Sequence, residues 1–124
     1  MNLARRIAVA LLAMLSLVAT AGCASSGAVD SIDTSNAVVI DVRTPAEFAG
    51  AHLQGAVDID IEQTNWVDKI VQYPVDGRYL LYDRTGARAA TALLHMKSMG
   101  FTDVTNLGDI DQAAKLTGLP VVTS

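Results

Sequence analysis

Cysteine is nearly missing from this chain. Cys23 is the only one in 124 residues, which excludes an intrachain disulfide. Proline is confined to three positions, Pro45, Pro74 and Pro120, each beside a predicted boundary rather than inside an element. Aromatic residues make up 5% and include one tryptophan, Trp66. Basic residues are outnumbered, nine against thirteen acidic. No repeat and no low-complexity tract is present, and the length allows one compact domain. The longest apolar run, Ile7 to Val18 with only Ser16 within it, is shorter than the ~20 residues that span a bilayer.

That run belongs to a distinct first segment. Arg5 and Arg6 precede it, and small residues from Ala19 to Cys23 follow. A basic head, an apolar middle and a small-residue end form the layout of a bacterial export signal, predicted over residues 1–22. Without Arg5 and Arg6 the chain has seven basic and thirteen acidic residues, a net charge of −6. Such an acidic domain is poorly suited to nucleic acid or to anionic lipid surfaces. The Thr20-Ala21-Gly22-Cys23 junction resembles the lipobox of bacterial lipoproteins, with Thr20 where leucine is usual. It implies lipidation of Cys23 and a membrane tether through that lipid. Ordinary cleavage after Ala21 is the competing pattern.

Residues 23–36 are small and polar and read as a linker, with the folded domain over 37–124. Ala37 to Val42, AVVIDV, is a β-branched run typical of a strand buried on both faces. Thr44, Pro45 and Glu47 supply an N-cap, a first helical proline and a capping box, and Gly50 ends that helix. A second short strand is predicted over Ala56–Ile59, then a helix through Trp66, Ile70 and Val71 that stops at Pro74 and Asp76-Gly77. Arg78–Tyr82 is a third buried strand. Ala87–Met99 has helical spacing, Asp103–Leu107 is a fourth strand, and Asp111–Leu116 a last helix. Strands alternating with helices imply an open, mainly parallel α/β sheet of four to five strands with helices on both faces.

Three segments, in order, resemble the rhodanese-like domain. VVIDVRTPAEFAGAHLQGAVDI is similar to that family's Asp-x-Arg strand, Thr-Pro-x-Glu-Phe helix and His-x-x-Gly-Ala turn. YLLYDRTGARAATALLHMKSMGF is similar to its active-site strand, loop and helix, and VTNLGDIDQAAKLTGLPV to its closing strand and helix. In active members a cysteine opens a Cys-x-x-x-x-Arg loop of inward-pointing N–H groups, and its thiolate carries sulfur as a persulfide. Carried over, the anion loop is Asp83, Arg84, Thr85, Gly86, Ala87 and Arg88. Asp83 takes the cysteine's place, and a carboxylate has no route to a persulfide. It can instead accept the loop's N–H bonds and face Arg88.

The resemblance implies structural roles for Asp41 and Arg43, which brace the loop region, and a packing role for His52. No catalytic residue and no cofactor is assigned. Asp58, Asp60 and Glu62 could in principle hold a hard cation, but period-two polarity reads more simply as the solvated side of a strand, so no metal is assigned. His95 is expected at the surface and Trp66 in the core. The expected function is a binding or scaffolding module without sulfurtransferase activity, with an unidentified protein partner at the cell envelope or outside it. The alternative is an enzyme using the retained loop, with sulfurtransferase-related or phosphatase-like chemistry based on Asp83 or a partner's thiol.

Overall fold

The computed structural model describes residues 30–124. The predicted export signal, Cys23 and the first part of the predicted linker lie outside the described residues.

Four parallel strands form the sheet: β1 (Ala37–Asp41), β3 (Val57–Asp58), β4 (Arg78–Asp83) and β5 (Asp103–Asp109), in the order β3-β1-β4-β5. Between them run α1 (Pro45–Gly50), the two-residue β2 (His52–Leu53), α2 (Trp66–Ile70) and α3 (Ala87–Ser98). After β5 come α4 (Ile110–Thr117) and β6 (Val121–Val122), and β6 pairs antiparallel with β2.

Strand alternation sorts the core into two layers. Tyr79 and Leu81 of β4 face Ala89, Ala92 and Met96 of α3 and Ile70 of α2, while Leu80 and Tyr82 face Leu53, Leu107 and Ala113 of α4. Tyr79 through Tyr82 are all buried, so β4 is the central strand that its apolar run predicts. Helices therefore cover both faces, as in a doubly covered parallel sheet.

Several expectations need adjustment. β5 runs on past Leu107 to Asp109 and α4 starts at Ile110, before Asp111, because Asp109 ends the strand and caps the helix at once, its side chain accepting from the Gln112 N–H at 2.8 Å. The β2–β6 ribbon was not expected, since two-residue strands have no periodicity to read. The end of the predicted linker is bound to the domain. The Ile32 N–H bonds the Leu116 carbonyl at 2.6 Å, Arg78 reaches the Asp33 carbonyl at 3.2 Å, and Ile32 packs against the α4 core.

The acidic stretch after β3 also differs. Asp60 is buried and accepts the Glu62 N–H at 2.9 Å, and Asp58 is half-buried with one oxygen lacking a partner. Only Glu62 is on the solvated side. The cause is backbone pairing: Ile59 and Ile61 donate to the Asp41 and Val42 carbonyls, which draws the segment over the sheet end. Burial raises the Asp58 carboxyl, and Asp41 and Asp60 nearby raise it further. No group of metal-binding side chains occurs among the described residues. Trp66 is half-buried with its edge against His95, and His95 is exposed.

Candidate functional site: a buried carboxylate in the loop after β4

β4 delivers Asp83 to the carboxyl end of the sheet, fully buried. The chain then turns through Arg84, Thr85 and Gly86 into α3. Gly86 is the N-cap, with φ of +89°, a conformation that strongly favours glycine. A Cβ there would meet the Gly108 Cα at 3.3 Å. Asn106 pins this approach: its amide donates to the Gly86 carbonyl at 3.0 Å, and its oxygen accepts the Gly108 N–H at 2.8 Å.

The Asp83 carboxylate occupies the hollow of the turn. One oxygen accepts the Thr85 N–H at 3.0 Å and the Gly86 N–H. The other accepts the Arg88 N–H at 2.7 Å. These are donors at the N-terminus of a 12-residue helix, where partial positive charge favours an anion. The loop thus holds an anion that is part of its own chain.

Arg88 closes the mouth. Its Nε lies 3.5 Å from Asp83, but its terminal nitrogens form a two-point pair with Glu47 at 2.9 and 3.0 Å, and Glu62 lies 3.4 Å away. Glu47 also accepts the Thr44 N–H and hydroxyl, each at 3.0 Å, completing the capping box of α1. Its bonds to Arg88 hold the Glu47 carboxyl down at about 2, against partial burial. Arg88 is raised in turn, chiefly by the same bonds to Glu47. Arg84 and Thr85 are exposed, and Arg84 has no ion-pair partner among the described residues.

The other expected loop support lies one layer back. Arg43 donates to both Asp41 oxygens at 2.7 to 3.1 Å and to the Ala51 carbonyl at 2.5 Å, and its guanidinium sits 5.7 Å from the Tyr82 ring centre. Hydrogen bonding to Asp41 raises Arg43. The Tyr82 hydroxyl accepts the Leu53 N–H at 3.0 Å, and burial pushes its phenol upward. Asp41 and Arg43 therefore fix the β1–α1 turn and β2, and touch the Asp83 loop only through Tyr82, its chain neighbour. His52 stacks on Phe48 at 3.8 Å and meets the Phe48 carbonyl at 2.8 Å, a packing role.

Glu47 and Glu62 are the site residues that sequence reading did not assign. The capping-box spacing of Glu47 already explains it locally, and its pairing with Arg88 across 41 positions has no sequence signature. Replacing Glu47 with glutamine is expected to lower stability by roughly 1–2 kcal/mol at neutral pH, through a weakened cap and a lost ion pair. The effect depends on pH. The folded carboxyl sits below its ordinary value of 4.5, at about 2, so its stabilisation is present above pH 4.5 and is lost as pH falls toward 2. Urea unfolding of both proteins across that range should show the difference shrinking with acid.

The family profile of the rhodanese-like domain matches residues 27–112, and the chain belongs to that family. A sulfurtransferase of Allochromatium vinosum is 30% identical over 90 residues, which cover 73% of this chain and 82% of that protein. The probable adenylyltransferase/sulfurtransferase MoeZ of Mycobacterium tuberculosis is 38% identical over 69 residues, covering 56% of this chain and 18% of that protein. The chain thus spans only a small part of MoeZ. Among solved structures, a rhodanese with anions from E. coli superposes with a TM-score of 0.59 at 24% identity, over 71% of this chain and 99% of that one. A protein from Lactobacillus plantarum gives 0.57 at 30% identity, over 71% and 74%.

Proposed function

We propose that this chain is an exported rhodanese-like domain without sulfurtransferase activity, serving as a binding or scaffolding module at the cell envelope. One observation carries the reading: the Asp83 carboxylate fills the anion cradle, at the position that the family resemblance gives to the nucleophilic cysteine of active members. An incoming anion about 4 Å away would meet a repulsion of about 4 kcal/mol at an effective dielectric of about 20. Glu47 and Glu62 at the mouth add to it, and Arg88 is already shared among three carboxylates. An enzyme that uses Asp83 itself has less support, because the carboxylate is fully buried and bonded to three loop N–H groups.

The wild-type protein is expected to give no thiosulfate-to-cyanide sulfur transfer above background while forming a discrete complex with an envelope protein in membrane pull-downs. Sulfur transfer above background would overturn the inactive reading. Failure to form any such complex would overturn the module.

Location is the second part of the proposal. Mature protein is expected to partition with membranes and to carry a diacylglycerol thioether on Cys23. Intact mass of the exported form decides it, and an unmodified chain beginning at Gly22 would instead mark ordinary cleavage.

A further inference from the structure

Among the described residues, the end of the sheet opposite the Asp83 loop leaves a place unfilled. β1 pairs with β4 along its full length, from Ala37 opposite Arg78 to Asp41 opposite Tyr82. β3 reaches β1 only at Ile40 and Asp41. Beside Ala37, Val38 and Val39 there remains a slot of about 430 Å³, walled further by Thr34, Gln54, Gly55, Val57, Tyr73 and Leu119.

Hydrogen bonding gives the slot a direction. The Asp41 carbonyl accepts from Ile59 on the β3 side, whereas the Val42 N–H bonds Tyr82 on the β4 side. Backbone groups alternate along a strand between its two neighbours, so Val39 and Ala37 face the slot. The Ala37 N–H is taken by the Thr34 carbonyl at 3.1 Å. β3 begins its pairing at Ile40, so its ladder gives the Val39 N–H and the Ala37 carbonyl no partner on this side, and neither takes a turn or loop backbone bond among the described residues. They flank Val38, the spacing at which one residue of an added parallel strand can accept from one and donate to the other. Val39 is 5% exposed, and an unpaired N–H in so buried a place is costly.

The walls repeat the same form. Val38, Val57 and Tyr73 belong to the α3-side core, and Val39 and Leu119 to the α4-side core. The slot therefore opens in the plane of the sheet between both layers. Alternate side chains of an inserted strand would meet Tyr73 on one face and Leu119 on the other. Charge narrows the occupant. Among the described residues no Asp, Glu, Lys, Arg or His lines the slot, so a charged side chain would lose hydration without a counter-ion.

We propose that this slot is a binding site for a short, extended, uncharged peptide segment of a partner protein, which adds as a strand beside Val38. The open length is three residues of β1. The site is separate from the Asp83 loop, so its failure would leave the reading of that loop standing.

The test uses the full-length chain and the capped peptide acetyl-Ala-Val-Thr-Val-Ala-amide. Hydrogen exchange and amide shifts of Val39 are followed by NMR. Without peptide the Val39 N–H should exchange readily. Saturating peptide should protect it and shift Ala37 to Val39. The same peptide N-methylated at alternate residues keeps its side chains but loses donors, and should bind about tenfold more weakly or worse. Replacing its threonine with glutamate should weaken binding as well. The proposal is overturned if Val39 shows no saturable shift at millimolar peptide, or if the N-methylated or glutamate peptide binds as well as the parent. It is also overturned if Val39 is protected before peptide is added. Protection independent of protein concentration would assign the slot to this chain's own residues before Asp30, and concentration-dependent protection would assign it to a second copy.

Discussion

Asp83→Cys is expected to take up one sulfur atom from thiosulfate, where the wild-type protein takes up none. Loop length, Gly86 and the N–H groups of Thr85, Gly86 and Arg88 are all in place around the side chain at position 83. A thiol there gains the same donors and the N-terminus of α3, which lower its pKa and favour thiolate. The thiolate attacks the outer sulfur of thiosulfate. A new sulfur–sulfur bond forms, the old one breaks, and sulfite leaves with the electron pair. Mass spectrometry should show the added sulfur, removable by a reductant, with Asp83→Ser as the unreactive control. Loading should be slow, because Glu47 and Glu62 remain at the mouth and hold Arg88. Adding Glu47→Gln should therefore speed it. If the cysteine variant folds and stays unmodified, the loop is not an anion cradle and the account of Asp83 fails.

The largest stability loss is expected at the other buried carboxylate. Asp41 is fully buried and takes the Arg43 N–H and guanidinium at 2.7 to 3.1 Å. Asp41→Asn leaves Arg43 buried with its charge uncompensated, which typically costs about 3–5 kcal/mol. For a domain of this size that is a large part of a total stability of about 5–15 kcal/mol. Removing both charges together, as Asp41→Leu with Arg43→Met, should restore much of the loss, because the penalty comes from the unpaired ion and not from the missing pair. Urea midpoints of the three proteins test this. A cost for Asp41→Asn under about 1 kcal/mol, the range of an exposed pair, would show that Arg43 finds water and that the pair is not a structural anchor.

These two carboxylates also mark what could be read before the structure. The runs at Ala37–Val42 and Arg78–Tyr82 announce buried strands because a strand covered on both faces needs apolar residues at every position. Thr44, Pro45 and Glu47 announce a helix start because capping is local chemistry at fixed spacing. The position and length of the Asp83 loop follow from the strand and helix on either side of it. Contacts made across the chain are another matter. Nothing near Glu47 signals Arg88, nothing in His52-Leu53 signals Val121-Val122, and nothing in the acidic stretch shows that Asp60 is buried. Ile32, within a polar run, gave no sign that it docks beneath α4. Each of these depends on where the fold brings distant segments together, which a local pattern does not encode.

The β2–β6 ribbon bears on the order in which the domain can be completed. The Gln54 N–H bonds the Pro120 carbonyl and the Ser124 N–H bonds the Ala49 carbonyl, on either side of the paired strands. The α1–β2 segment is thus fastened by residues 120–124. The four-stranded sheet needs nothing beyond Asp109. Leu53, a fully buried core residue, gains its antiparallel strand partner only when the tail arrives. On a chain made from its N-terminus, this closure comes after the parallel strands have become available for pairing.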